Sequence, residues 1–339
     1  MTSTRLLHVI VAVLSMLAWN SAQAGPEFVH DVTDAPHPWT HERFDRGEDR
    51  LTFAVFADIT GGERPGVFDL AAEQLNLLRP ELILNVGDLI AGSDDPEALD
   101  REWARFGERT RAVRAPIFLT GGNHDLLGPD FREAWAQRNG PSYYHFRYRD
   151  VLFLVLDTED HTPERLAELA AFRREAFRIA DEQGWDAFYE TPYATAPESA
   201  AGNVSPQQAA YFIDVLEANP DVRHTFVIMH KAPWLRDDLE AFARLESVLA
   251  ERPYTVFHGH EHGYRHQLRN GRDYIQLATT GGVFLPENGP AFDHVLLVTV
   301  DGAEVTLANL RLSGILDKTG SLPGPGSELC LAYEDCPGE

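Results

Sequence analysis

Short, fully apolar runs punctuate the chain, each closed by glycine or a polar residue and separated from the next by a stretch of helical spacing. Leu51-Thr52-Phe53-Ala54-Val55-Phe56-Ala57 ends at Asp58, and Leu82-Ile83-Leu84-Asn85-Val86 ends at Gly87-Asp88. Ala115-Pro116-Ile117-Phe118-Leu119-Thr120 opens into Gly121-Gly122-Asn123-His124-Asp125. Such bounded runs read as buried strands. Between the first two, Leu70, Ala71, Leu75 and Leu78 recur at helical spacing from Phe68 to Leu78, and Pro80 stops that helix. A second helix is predicted from Pro96 to Arg111. This strand–helix–strand alternation argues for parallel pairing with right-handed crossovers.

Downstream, Tyr143–Tyr148 and Val151–Leu156 flank Arg149-Asp150 and read as a hairpin, so the sheet system is mixed. Residues 159–204 interrupt the pattern with a charged helix, Pro163 to Asp181, and an aromatic, acidic loop, Trp185 to Tyr193. Either a cap over a site or surface decoration fits this insertion. Ser205-Pro206 starts a helix through Leu216, with Ser at the cap and Pro at the first helical position. Thr225–Met229 is then a strand ending at His230, Leu239–Leu249 a helix, and Tyr254–Phe257 a strand ending at Gly259-His260-Glu261-His262. Strands at Tyr274–Ala278, His294–Val300 and Glu304–Leu310 complete a domain over 51–316, and 317–339 reads as a Gly/Pro-rich tail. Residues 25–50 lack periodicity and read as an extended, solvated strap, its His30, His37 and His41 included.

The N-terminal 24 residues read as a cleavable export signal: Arg5, an apolar run from Leu6 to Trp19, then the small-residue site Ala22-Gln23-Ala24. The run is shorter than the roughly 20 apolar residues of a membrane span. The expectation is a periplasmic or secreted protein with no stable membrane insertion after cleavage. Export permits a local disulfide between Cys330 and Cys336. The formal charge of −24 disfavours nucleic acid and anionic membrane as partners. A small phosphorylated substrate stays compatible, because bound metal inverts the local field. Nothing in the sequence speaks to oligomeric state.

Taken alone, Asn123-His124-Asp125 also fits a polar turn with capping residues. The other strand ends change that. Asp58, Asp88, Asn123, His230, His260 and His262 form a mixed oxygen and nitrogen set suited to Zn, Mn or Fe and not to calcium. A shared carboxylate is the simplest bridge between two ions, and Asp88 is the candidate.

In order and in strand context, Asp58-Ile59-Thr60, Gly87-Asp88, Gly122-Asn123-His124-Asp125, Met229-His230 and Gly259-His260-Glu261-His262 resemble the calcineurin-like metallophosphoesterase superfamily. The resemblance implies an α/β fold, a four-layer α-β-β-α sandwich of two mixed sheets. It implies one or two divalent or trivalent transition-metal ions, one taking Asp58, Asp88 and His262, the other Asp88, Asn123, His230 and His260. It further implies a phosphoric ester hydrolase for mono- or diesters, in which metal-bound hydroxide attacks phosphorus. His124 would be the general acid, with Asp125 holding its imidazole. The departure is Thr60, where the family pattern has His. Water or Glu63 would then complete the first ion's shell, or Thr60 itself would touch the metal, or the site would be only partly filled. The same departure favours a competing reading, a non-catalytic protein binding phosphorylated ligands. Retention of His124 and Asp125 argues for the enzyme. Arg64 reads as a substrate-phosphate contact or a surface arginine. Lys231 reads as solvent-facing, His258 as packing, and Trp185, Tyr189 and Tyr193 as stacking or packing residues.

Overall fold

A computed structural model describes residues 27–45, 50–324 and 329–331; residues 1–24, where an export signal is expected, and Cys336 lie outside the described residues. In chain order the elements are β1 (Phe28–His30), β2 (Leu51–Phe56), α1 (Val67–Leu78), β3 (Leu82–Asn85), α2 (Pro96–Arg111), β4 (Ile117–Phe118), α3 (Asn123–Leu126), α4 (Pro129–Asn139), β5 (Tyr144–Tyr148) and β6 (Val151–Val155). The insertion contributes α5 (Pro163–Gln183), α6 (Trp185–Phe188), α7 (Pro192–Thr195) and α8 (Pro197–Ala200). There follow α9 (Pro206–Ala218), β7 (His224–Ile228), α10 (Glu240–Leu249), β8 (Tyr254–His258), β9 (Arg265–Arg269), β10 (Arg272–Gln276), β11 (His294–Asp301) and β12 (Glu304–Arg311).

Two mixed sheets form, β1-β5-β6-β7-β8-β10-β9 and β12-β11-β2-β3-β4. Alternation along the strands sorts side chains between layers. On β2, Phe53 and Val55 join a core with Leu84, Phe153, Phe226 and Phe257 of both sheets. Ala54 and Phe56 face the opposite way, onto Phe68 of α1 and Phe106 of α2. On β6, Leu152 and Leu154 pack under Phe212 of α9 and Leu245 of α10. Strands covered on both faces need no polar positions, which is why they read as continuous apolar runs. The arrangement is the expected α-β-β-α sandwich. Phe118, Phe146, Phe153, Phe226 and Phe257 stack in sequence between the sheets, with successive ring centroids 3.9, 4.6, 5.6 and 5.7 Å apart.

Two expectations change. The strap is not simply solvated: β1 adds an antiparallel strand to β5, and Trp39 is buried with its backbone bridged to Phe118. The loop after Trp185 carries short helices, and Tyr193 buries with Leu127, Leu166 and Leu169 against the core side of the insertion. Trp185 and Tyr189 remain exposed. Cys330 is disulfide-bonded. No helix among the described residues is long and apolar enough to cross a membrane.

Candidate metal centre and active site

Parallel β2, β3 and β4 end side by side, and parallel β7 and β8 end opposite them in the other sheet. The loops leaving these five carboxyl ends converge, as ligand-binding loops do in open α/β sheets. A bond from His230 Nδ1 to the Val86 carbonyl, 2.8 Å, ties the two sheets together there. Glycine makes the approach possible. A Cβ on Gly122 would lie 2.2 Å from Asp88 Oδ1, and one on Gly259 would lie 2.3 Å from Asp58 Oδ2.

The donor atoms form two groups that share Asp88. Asp88, His230 and His260 make one, and Asp58, Asp88 and His262 the other, with the donor atoms of each group within 4.8 Å of one another. His230 Nε2 stands 3.3 Å from Asp88 Oδ2 and 3.0 Å from Asn123 Oδ1, so Asn123 joins the first group. His262 Nε2 stands 3.4 Å from Asp58 Oδ1. The backbone is strained here: Asp88, His260 and His262 all adopt positive φ, at 56°, 73° and 50°. Such strain concentrates at functional sites.

Electrostatics favours a cation. Burial pulls the His230 imidazole down, but the Asp88 charge beside it outweighs this and lifts it to about 9. Asp88 is itself held well below the usual carboxylate range: burial opposes ionisation, and His230 and His124 overcome it. Asp58 Oδ2 is buried and has no hydrogen-bond partner. A buried carboxylate oxygen left without a donor is costly unless a cation meets it. Carboxylate, amide and imidazole donors sharing one carboxylate fit a transition-metal pair. The residues present therefore fit the implied ions.

Residues 51–264 match the profile of the calcineurin-like phosphoesterases. The chain belongs to that family. Among solved structures, a dimetal phosphatase from Danio rerio is 13% identical, with a TM-score of 0.55 over 78% of this chain and 97% of that one. The anchor protein GAP50 of the Plasmodium inner membrane complex is 12% identical, with a TM-score of 0.47 over 81% and 87%. A purple acid phosphatase from yellow lupin seeds is 11% identical, with a TM-score of 0.48 over 82% and 53%. No curated protein matches the chain significantly. This calcineurin-like phosphoesterase is a metal-dependent phosphoric ester hydrolase.

In the phosphoesterase, His124 lies at the rim of the shared group, with Nε2 4.0 Å from Asp88 Oδ2. Its Nδ1–H donates to the Ala91 carbonyl at 2.6 Å. Burial, and then the Arg173 charge, hold its pKa below the usual histidine value despite Asp88. The expected Asp125–His124 pairing is not made. The Asp125 carboxylate instead accepts from the amides of Leu89, Ile90 and Gly122. It stitches the Asp88 loop to the Asn123 loop. Burial and the Asp88 charge push Asp125 up to about 8, against the pull of those amides.

Three other expectations are corrected. Arg64 neither meets solvent nor faces the cluster. It is 2% exposed, grips Asp293 through Nη1 and Nη2, and donates to the carbonyls of Gly282 and Cys330. Glu63 is occupied by Arg105 and Arg109 at 3.1 and 2.7 Å, which removes it as a supplementary ligand. Lys231 is buried, its ammonium 2.8 Å from Glu159 and 2.9 Å from the Glu198 carbonyl. Thr60 is buried beside the cluster with its amide 3.3 Å from the Asp88 carbonyl, and adds no nitrogen donor. His258 packs edge-on to Trp234 as expected.

The insertion supplies what the motifs do not name. The Ser199 carbonyl of α8 accepts from His260 Nε2 at 2.7 Å, leaving Nδ1 for the cluster. From α5, Arg173 comes within 3.5 Å of His124 Nδ1. A sequence signal for Arg173 exists: it falls on the stripe of Leu166, Leu169, Ala170, Ala176 and Ala180 that α5 buries. A charge on an apolar stripe marks a position where something other than packing is at stake.

Proposed function

We propose that the chain is an exported phosphoesterase acting on small phosphate mono- or diesters, with His124 as the general acid for the leaving-group oxygen. The observation that carries the reading is the orientation of His124. Its Nδ1–H is committed to the Ala91 carbonyl, so Nε2 is the nitrogen free to hold and deliver a proton beside Asp88. Asp58, Asp88, Asn123, His230, His260 and His262 would hold the ions. Bound there, transition metals supply Lewis-acid polarisation of the phosphoryl group and a water acidified to serve as nucleophile. The chain's own part is to fix the donors, carry the leaving-group proton and hold the ester against the two loops that Asp125 joins.

With His in place of Thr60 the first ion would have one more nitrogen donor; with Thr60, Asp58, Asp88 and His262 would be the residues to hold it. Metal analysis reads this directly. Near one ion per chain implicates Thr60, and near two means another oxygen completes the shell. The acidic surface favours a small substrate over nucleic acid. The signal-like residues 1–24 and the bonded Cys330 support export to an oxidising compartment.

The test is His124→Ala in metal-loaded protein. Hydrolysis of aryl phosphates or their methyl diesters should fall by roughly 10²–10⁴-fold, the usual worth of a general acid. Metal content should not change. Full metal loading in the native chain without turnover across a mono- and diester panel would instead support ligand binding without catalysis.

A further inference from the structure

Arg173 is 6% exposed, yet no carboxylate among the described residues pairs with it. Its Nη1 donates to the Gly92 carbonyl and its Nη2 to the Ala91 carbonyl, both at 3.2 Å. Nε is buried without a partner, and the guanidinium lies 4.9 Å over Phe177 and 5.5 Å from the Phe131 ring. A buried cation without an anion opposes stability, and an apolar residue would suit this stripe better. The two carbonyls it grips explain its position. Ala91 is the residue whose carbonyl orients His124. Gly92 lies so close to His124 that a Cβ there would stand 2.3 Å from the His124 carbonyl oxygen. The Ala91-Gly92 dipeptide is thus held between Arg173 and His124.

We propose that Arg173 is a positioning residue: through the Ala91-Gly92 carbonyls it fixes the imidazole of His124 so that Nε2 points at the leaving group. It does not touch substrate, because it approaches the Nδ1 side of the ring, while Nε2 faces the metal ligands. The insertion thereby enters the reaction through α5. This rests on the general-acid reading of His124, and the experiment separates the two.

Hydrolysis of phenyl phosphate, a poor leaving group, and 4-nitrophenyl phosphate, a good one, is compared in the manganese-loaded full chain. If the enzyme takes only diesters, the corresponding methyl aryl esters serve. Only the poor leaving group needs its proton delivered. In Arg173→Met, kcat on the phenyl ester should fall roughly 10–100-fold, the range for residues that orient catalytic or ligating groups from behind. On the 4-nitrophenyl ester the loss should be only a few-fold, with metal content retained. Arg173→Lys, which keeps the charge but not the fork, should lie between, and carries the same comparison if Arg173→Met does not fold. Equal losses on both esters, or none, would overturn the proposal. His124→Ala is measured alongside. Selective loss there without selective loss in Arg173→Met rejects Arg173 alone, whereas unselective loss in His124→Ala rejects the general acid itself.

Discussion

Replacing Asp125 by alanine separates two accounts of the same motif. If Asp125 acts by orienting His124, the substitution lowers turnover and leaves folding alone. The geometry says otherwise. The carboxylate receives the Gly122 amide at 2.8 Å, the Leu89 amide at 3.1 and 3.2 Å, and the Ile90 amide at 3.3 Å. Asp125→Ala leaves three buried amides without acceptors, each costing about 1–3 kcal/mol. Water entering the space of the lost carboxyl would recover part of this, so a total loss of about 3–6 kcal/mol is expected. For a domain of this size that corresponds to a drop in melting temperature of about 10 °C. The assay is thermal and urea denaturation of the metal-loaded chain beside turnover corrected for folded fraction. The loops carrying Asp88 and Asn123 should loosen together, so metal affinity should fall as well. A melting temperature equal to that of the unsubstituted chain, with turnover selectively lost, would refute the reasoning and restore Asp125 as the partner of His124.

Two further predictions concern groups other than the candidate metal ligands. Burial holds His224 and His294 down at about 4 and His258 at about 3, so all three are neutral in the folded chain where the unfolded chain protonates them. Below pH 6.5 these three groups give the unfolded state roughly three extra protons, opposed by about one on Asp125, a contribution near pH 5 on the order of 3 kcal/mol of metal-free stability lost per unit. His124, His145, His161 and His260, also lowered, add to it, and Glu261 and Asp293, both raised, oppose it. Stability should therefore fall with pH, and urea midpoints that stay flat from pH 7 to pH 5 would contradict this. Arg64→Ala removes the cation from a buried pair and strands Asp293, which should cost about 3–5 kcal/mol in urea denaturation. The surviving folded fraction should keep its KM, and a raised KM at unchanged stability would return Arg64 to a substrate role.

The fold was legible because its strands are covered on both faces. Phe53 and Ala54 face different cores, and both must be apolar, so β2 stands out as an unbroken run. β9 did not stand out. Arg265-His266-Gln267-Leu268-Arg269 lies at a sheet edge with mostly exposed side chains, and pairing with β10 is main-chain business that leaves no apolar signature. The candidate metal cluster was legible because strand ends put its residues in one place and their chemistry is shared by few other arrangements. What failed were roles set by partners distant in sequence. Arg64 finds Asp293, 229 residues away, and Lys231 finds Glu159. Neither pairing leaves a trace at the residue itself. Asp125 failed for a different reason: adjacency to His124 implied contact, but a helical turn starting at Asn123 sends consecutive side chains in different directions.

The four imidazoles of the site share a feature that no motif can encode. His230 donates through Nδ1 to Val86, His262 through Nδ1 to Val283, His124 through Nδ1 to Ala91, and His260 through Nε2 to Ser199. Every acceptor is a main-chain carbonyl. The tautomer of each ring, and hence which nitrogen faces the cluster, is set by where the backbone runs and not by a neighbouring acid. Any residue at those positions brings the same carbonyl, so side-chain identity at 86, 91, 199 and 283 carries no signal of the role. Substituting these residues tests little; moving their backbone tests much. Three of the carbonyls belong to the loops around the sheet ends, but the fourth belongs to the insertion. Residues 159–204 are therefore neither surface decoration nor a cover that can be lifted without consequence, since removing them frees the His260 ring to turn and strips Arg173 from the dipeptide behind His124.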